Sequence, residues 1–142
     1  GIDIVKEQIL IAAGKKIEIS QDDIVINGHS IECRINAENS KTFVPSPGLI
    51  KQYHQPGGLG VRVESAIYQG YTVPAHYDSL ICKLISHGSN RKESIAKMKR
   101  ALQEFAIMGI DNTIQLHQSI LSNDNFISGN YDINFMNKFK TD

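Results

Sequence analysis

The feature that most constrains this chain is a strict alternation from Ser30 to Glu38. Ile31, Cys33, Ile35 and Ala37 fall on one side, and Glu32, Arg34, Asn36 and Glu38 on the other. Successive side chains of a strand point to opposite faces, so this run is a strand with one face buried and one in water. One-sided strands of this kind belong to antiparallel sheets, because parallel sheets are covered on both faces. Upstream, Ile24-Val25-Ile26 ends at Asn27-Gly28. Asn-Gly between two such runs predicts a tight hairpin.

Elsewhere the spacing changes character. Ile2, Val5, Ile9 and Ala12 recur at helical intervals, with Asp3 as N-cap and Gly14 just beyond the end. From Lys41 to Gly60 the chain is punctuated by Pro45-Ser46-Pro47-Gly48 and Pro56-Gly57-Gly58-Leu59-Gly60, with a short strand expected over Leu49 to Tyr53. Val61 to Glu64 alternates again. Leu80 to Ile85 is apolar on nearly both faces. The last third reads as helical. Asn90-x-x-Glu93 opens a helix whose buried stripe is Ile95, Met98, Leu102 and Phe105, and Gly109 closes it. Asp111, Asn112 or Thr113 caps the next helix, carrying Ile114, His117 and Leu121. A short terminal helix holds Ile133, Met136 and Phe139. Strands in the middle and helices at both ends predict an α+β domain: an antiparallel β-sheet with flanking helices.

Composition narrows the function classes. The 142 residues suit one domain, and 41% hydrophobic with 21% charged residues is a globular mix. Fifteen basic and fifteen acidic residues cancel, which argues against a nucleic-acid partner or an anionic membrane surface. Cys33 and Cys82 lie inside apolar runs and read as core residues, consistent with a reducing, cytoplasmic or organellar setting. The chain opens on Gly1 with a helix starting almost at once, as expected of a piece of something longer.

Chemistry is sparse. No GxxxxGK[ST] phosphate loop and no GxSxG elbow is present. Histidines 29, 54, 76, 87 and 117 show no metal-ligand spacing. Gly57 to Gly60 reads as a loop. Arg62, between Val61 and Val63 after that loop, projects with Glu64 from the polar side of a strand. It could donate to an oxyanion with fixed geometry. By pattern alone, a salt bridge to a nearby acid is the favoured reading. Glu32, Arg34 and Glu38 read as cross-strand partners, Tyr77-Asp78 as a turn, and His87 to Arg91 as a turn that caps a helix.

A resemblance adds to this. Glu32-Cys33-Arg34-Ile35-Asn36-Ala37-Glu38, Phe43-Val44-Pro45-Ser46-Pro47-Gly48, Pro56-Gly57-Gly58-Leu59-Gly60-Val61-Arg62, Gly70-Tyr71-Thr72-Val73-Pro74 and Tyr77-Asp78-Ser79-Leu80 follow in the order seen in the C-terminal domain of biotin carboxylase. The likeness runs through Lys83-Leu84-Ile85 and the helix after Asn90, so residues 1–142 resemble that domain, of the rudiment single hybrid motif type. The implied enzyme is an ATP-dependent ligase. It uses ATP, Mg2+ (or Mn2+) and bicarbonate to carboxylate biotin on a carrier protein, the first half-reaction of acetyl-CoA carboxylase in fatty acid biosynthesis. Its N-terminal and ATP-grasp domains, which hold the nucleotide and metal, have no counterpart here. The resemblance therefore implies a chain that binds no cofactor tightly and is inactive alone.

The resemblance further implies that Arg62 stabilises the biotin ureido oxyanion, and that Arg91 and His87 lie at a homodimer interface. Implied partners are the biotin carboxyl carrier protein, the carboxyltransferase subunits and the chain's own missing domains. Four positions depart from the family pattern: His87 replaces a frequent aromatic residue, Asn39-Ser40 the usual Asp-Pro, and Met108 an acidic residue. Two alternatives stay open. One is a non-catalytic association or dimerisation module. The other is the same domain of a multidomain propionyl-CoA- or pyruvate-carboxylase-type chain.

Overall fold

A computed structural model describes residues 1–139. In chain order it contains α1 (Ile4–Ala12), β1 (His29–Asn36), β2 (Gly48–Leu49), β3 (Gln52–His54), β4 (Val61–Ser65), β5 (Thr72–Val73) and β6 (Leu80–Gly88). There follow α2 (Arg91–Glu104), β7 (Ala106–Met108), α3 (Ile114–Ser122), α4 (Asp124–Ser128) and α5 (Phe135–Lys138). The main sheet is antiparallel in the order β1-β6-β4, and β2-β5 and β3-β7 form two small ribbons. The fold is α+β with antiparallel sheets and flanking helices, as the residue pattern indicated.

The alternation of β1 translates directly into burial. Cys33, Ile35 and Ala37 are buried, while Glu32 and Arg34 are exposed. On β6 the even positions Cys82, Leu84 and Ser86 face inward, where α2 covers the sheet with Ile95, Met98, Ala101 and Leu102. Ser86 and Ser94 lie between strand and helix, fully buried. The Ser86 hydroxyl reaches the Ser94 carbonyl at 3.0 Å, so neither polar group is stranded. Asn90 caps α2 by accepting from the Glu93 N–H at 3.0 Å. Glu93 accepts from Ser89 rather than from Asn90, so the box closes one residue early.

Three sequence expectations are corrected. No hairpin forms at Asn27-Gly28. Residues 21–23 make a single 3-10 turn, Ile24 to Ile26 are exposed and unpaired, and β1 takes its partner from β6. Nine-residue β6 offers a register from His29 to Asn36, which a three-residue run cannot match. The expected strand over Leu49 to Tyr53 is split at buried Ile50 into β2 and β3, which belong to different ribbons. The helix after Asn90 stops at Glu104, and Ala106 to Met108 before Gly109 become β7, paired with β3. Toward the end, α4 capped by Asn123 is an addition. α5 begins after fully exposed Ile133, with Phe139 at its C-cap. α1 matches its expectation: Asp3 accepts from the Lys6 N–H at 3.0 Å.

Burial pushes both thiols, Cys33 and Cys82, up to about 12. Because the thiolate is the reactive form, the native protein is expected to leave both cysteines unlabelled by a thiol-specific reagent. Labelling then appears only on unfolding. Rapid labelling of either one in the native state would contradict their place in the core.

Candidate functional site

The helix layer covers one face of the main sheet and leaves the other open. Strand register fixes what stands there. Glu32 lies opposite Ile85, which lies opposite Arg62; Arg34 lies opposite Lys83, which lies opposite Glu64. The open face therefore carries three cations and two carboxylates in a compact grid.

Their pairing is uneven. Arg62 Nη2 lies 3.1 Å from Glu64 Oε1, with the two side chains 69% and 51% exposed. This is the salt bridge that the residue pattern alone favoured. It occupies one edge of the guanidinium. Among the described residues the other N–H donors of Arg62 have no partner, so most of its five donors face the open side. An exposed pair of this kind is worth under about 1 kcal/mol. It orients the guanidinium without neutralising the face.

Arg34 is different. Among the described residues neither Arg34 nor Lys83 has an ion-pair or side-chain hydrogen-bond partner. Two like charges directly opposite on adjacent strands are unfavourable, and an anion brought to this face relieves the repulsion. Reading Arg34 as a cross-strand ion-pair partner is thus corrected, because its neighbour on β6 is a lysine. Glu38 does find polar partners, Asn36 Nδ2 at 3.2 Å and the Ser79 hydroxyl.

The backbone beneath Arg34 is tied down. Its carbonyl accepts from His117 Nε2 at 2.8 Å and from the Thr113 hydroxyl at 3.3 Å, while Thr113 Oγ1 accepts from the Asn36 N–H at 2.9 Å. α3 and its cap therefore brace the sheet edge that β1 forms. Burial lowers the His117 pKa, opposed in part by its bond to Arg34. A histidine kept neutral in the fold is protonated more readily when unfolded. It contributes stability above the unfolded value of 6.5 and loses it as pH falls through the folded value. Chemical denaturation across this range is expected to show stability declining into acid, with a shallower slope in His117→Gln.

The loop that delivers Arg62 is braced as well. Gly58 (φ 103°) and Gly60 (φ 76°) hold left-handed conformations, and a Cβ on Gly60 would collide with the His87 carbonyl. Arg100 donates to the Gly57 carbonyl at 3.1 Å, and Lys97 to the His87 carbonyl at 3.0 Å. Leu59, which sequence reasoning missed, stands at the tip of this loop and is 92% exposed. A large apolar side chain is thus presented to solvent on a fixed loop. The available signal was a leucine between glycines.

The remaining candidates are placed as follows. His87, exposed at the end of β6, donates from Nε2 to the Asn27 carbonyl at 3.0 Å. Arg91 turns into its own chain, donating to the Phe126 and Ile127 carbonyls and to His29 Nε2, 3.2 Å away, with its guanidinium 4.8 Å from the centre of the Phe126 ring. Asp78 accepts from the Leu80 N–H in a turn, and Met108 is exposed on β7. Among the described residues no three His, Cys, Asp or Glu side chains converge to hold a metal ion.

Comparison with known proteins gives a consistent answer. The sequence pattern of the biotin carboxylase C-terminal domain matches residues 32–138. Over 138 residues, 97% of this chain, the sequence is 54% identical to the biotin carboxylase of Allochromatium vinosum, of which it covers 31%. A crystal structure of biotin carboxylase from Campylobacter jejuni superposes with a TM-score of 0.91 at 51% identity, covering 97% of this chain and 31% of that one. The complete multifunctional pyruvate carboxylase from Rhizobium etli superposes with a TM-score of 0.91 at 33% identity, covering 96% of this chain and 13% of that one. The chain spans about a third of the length of the two biotin carboxylases.

Proposed function

Because this chain belongs to the biotin carboxylase C-terminal domain family, we propose that it forms one wall of the biotin site in an ATP-dependent biotin carboxylase. Its contribution is the open face of the β1-β6-β4 sheet. The observation that carries this reading is Arg62: a guanidinium on a rigid strand, oriented by one carboxylate, with its remaining donors open. When N1 of biotin loses its proton, charge gathers on the ureido oxygen. A preorganised guanidinium at that oxygen stabilises the charge without reorganisation.

The other charges of the face take supporting roles. Glu64 positions Arg62 through the 3.1 Å contact. Arg34 and Lys83, without an acid of their own, add positive potential beside it. We place the homodimer contact at the edge carrying His87 and Arg91, with Leu59 on the adjoining loop as an exposed apolar anchor. Arg91 acts there chiefly by holding α4 to the start of α2. ATP, Mg2+ and bicarbonate belong to the remainder of the enzyme, while the carrier protein presents its biotin to this face.

The reading is tested by adding the separately produced remainder of the enzyme and following biotin-dependent ATP cleavage with bicarbonate. Activity is expected on mixing and from neither piece alone, and it is expected to fall far more in Arg62→Gln than in Arg34→Gln. The reverse order would move the oxyanion donor to Arg34. If both pieces are folded and co-elute yet show no activity, the proposal fails.

A further inference from the structure

Asn27-Gly28, whose predicted hairpin does not form, sits at the joint between the arm of residues 1–28 and the sheet. Gly28 has φ 74°, and a Cβ there would collide with the Gly88 carbonyl and lie 2.8 Å from His87 Nε2. The fold therefore requires glycine after Asn27. That glycine leaves its own amide nitrogen sterically open to attack the preceding side chain. The Asn27 carboxamide is exposed, and neither it nor the Gly28 N–H has a hydrogen-bond partner among the described residues. The third component is His87. Its Nε2 lies 3.0 Å from the Asn27 carbonyl oxygen. A carbonyl can only accept, so Nε2 carries the proton and polarises the amide whose nitrogen is Gly28 N, making that N–H more acidic.

We infer that Asn27 is a site of spontaneous deamidation built into the arm–sheet joint and promoted by His87. The Gly28 nitrogen, losing its proton to solvent, attacks Cγ of Asn27. The new C–N bond closes a succinimide, and Nδ2 leaves as ammonia after taking up a proton. Water then opens the ring at either carbonyl, giving aspartate or isoaspartate at position 27. Either product places a carboxylate beside the His87 imidazole, and isoaspartate also inserts a methylene into the backbone where the arm leaves the sheet. Asn39, followed by Ser40, is a useful contrast. Its Oδ1 accepts from the Lys41 and Thr42 N–H groups at 3.0 and 3.1 Å, and its Nδ2 donates to Asp111 at 2.9 Å, so its carboxamide is held away from that reaction.

The test is incubation of the chain in warm, mildly alkaline buffer, with peptide mass mapping and separation of the aspartate and isoaspartate products. Conversion is expected at Asn27 ahead of every other asparagine. It should proceed in the folded chain at least as fast as in urea, and roughly fivefold more slowly in His87→Phe, the change expected from one lost hydrogen bond. Should His87→Phe fail to fold, the comparison of folded and urea-unfolded wild type decides alone. An intact Asn27 amide after Asn39 has converted, protection of Asn27 by folding, or an unchanged rate in folded His87→Phe would each overturn the inference.

Discussion

Truncating Leu84 to alanine is expected to lower the unfolding free energy by about 2–5 kcal/mol, the range for a fully buried leucine replaced by alanine. Leu84 has no exposed surface. It stands on β6 between Cys33 and Val63, beneath the layer that contains Met98 and Leu102. Neighbours on three elements cannot all collapse into the vacated volume, so a cavity term adds to the lost transfer energy. Since a domain of this size has about 5–15 kcal/mol in total, the variant is close to failing. Leu59→Ala is the matched control: same residue type, 92% exposed, and expected to stay within about 0.5 kcal/mol. Urea denaturation reads both through the midpoint at constant m-value. A Leu84→Ala loss no greater than that of Leu59→Ala would contradict the assigned core.

Replacing Arg62 by glutamine in the assembled enzyme is expected to reduce kcat for biotin carboxylation by about 10²–10³, as for loss of one preorganised oxyanion donor. The KM for ATP should barely move, because the proposed function places the nucleotide in another part of the enzyme. Arg62→Lys should recover only part of the rate. It keeps the charge but loses the planar fork, and an ammonium is a poorer match to a fixed acceptor. Glu64→Gln leaves the guanidinium in place and loosens only its orientation, so its effect is expected to be several-fold smaller than that of Arg62→Gln. Equal losses of kcat and rises in KM for Arg62→Gln, Arg34→Gln and Lys83→Gln would point to simple electrostatic attraction rather than a positioned donor.

What the sequence made legible was what is local. The two-residue period of β1, the caps at Asp3 and Asn90, and the Ile95, Met98 and Leu102 stripe of α2 depend only on near neighbours, and each is found as expected, whereas Phe105 falls just past the helix end. Strand partnership is not local. Asn27-Gly28 carries the hairpin dipeptide, but β6, more than forty residues on, offers β1 a longer pairing surface. Arg62 was visible because both of its signals are local: the glycine-rich approach before it and the acid two residues after it. The cationic pair beside it was not. Arg34 lay plainly on the polar side of β1, but the lysine opposite it is visible only once register is known.

The central claim, that the open sheet face carries the biotin-site donor at Arg62, is tested most directly in a chimera. This chain replaces the matching third of the Allochromatium vinosum biotin carboxylase, and carboxybiotin formation from labelled bicarbonate is measured for the parent chimera, Arg62→Gln and Arg34→Gln. The account predicts an active parent, a loss of about a hundredfold or more in Arg62→Gln, and a smaller loss in Arg34→Gln that weakens with added salt. Full activity in a folded Arg62→Gln chimera would contradict it.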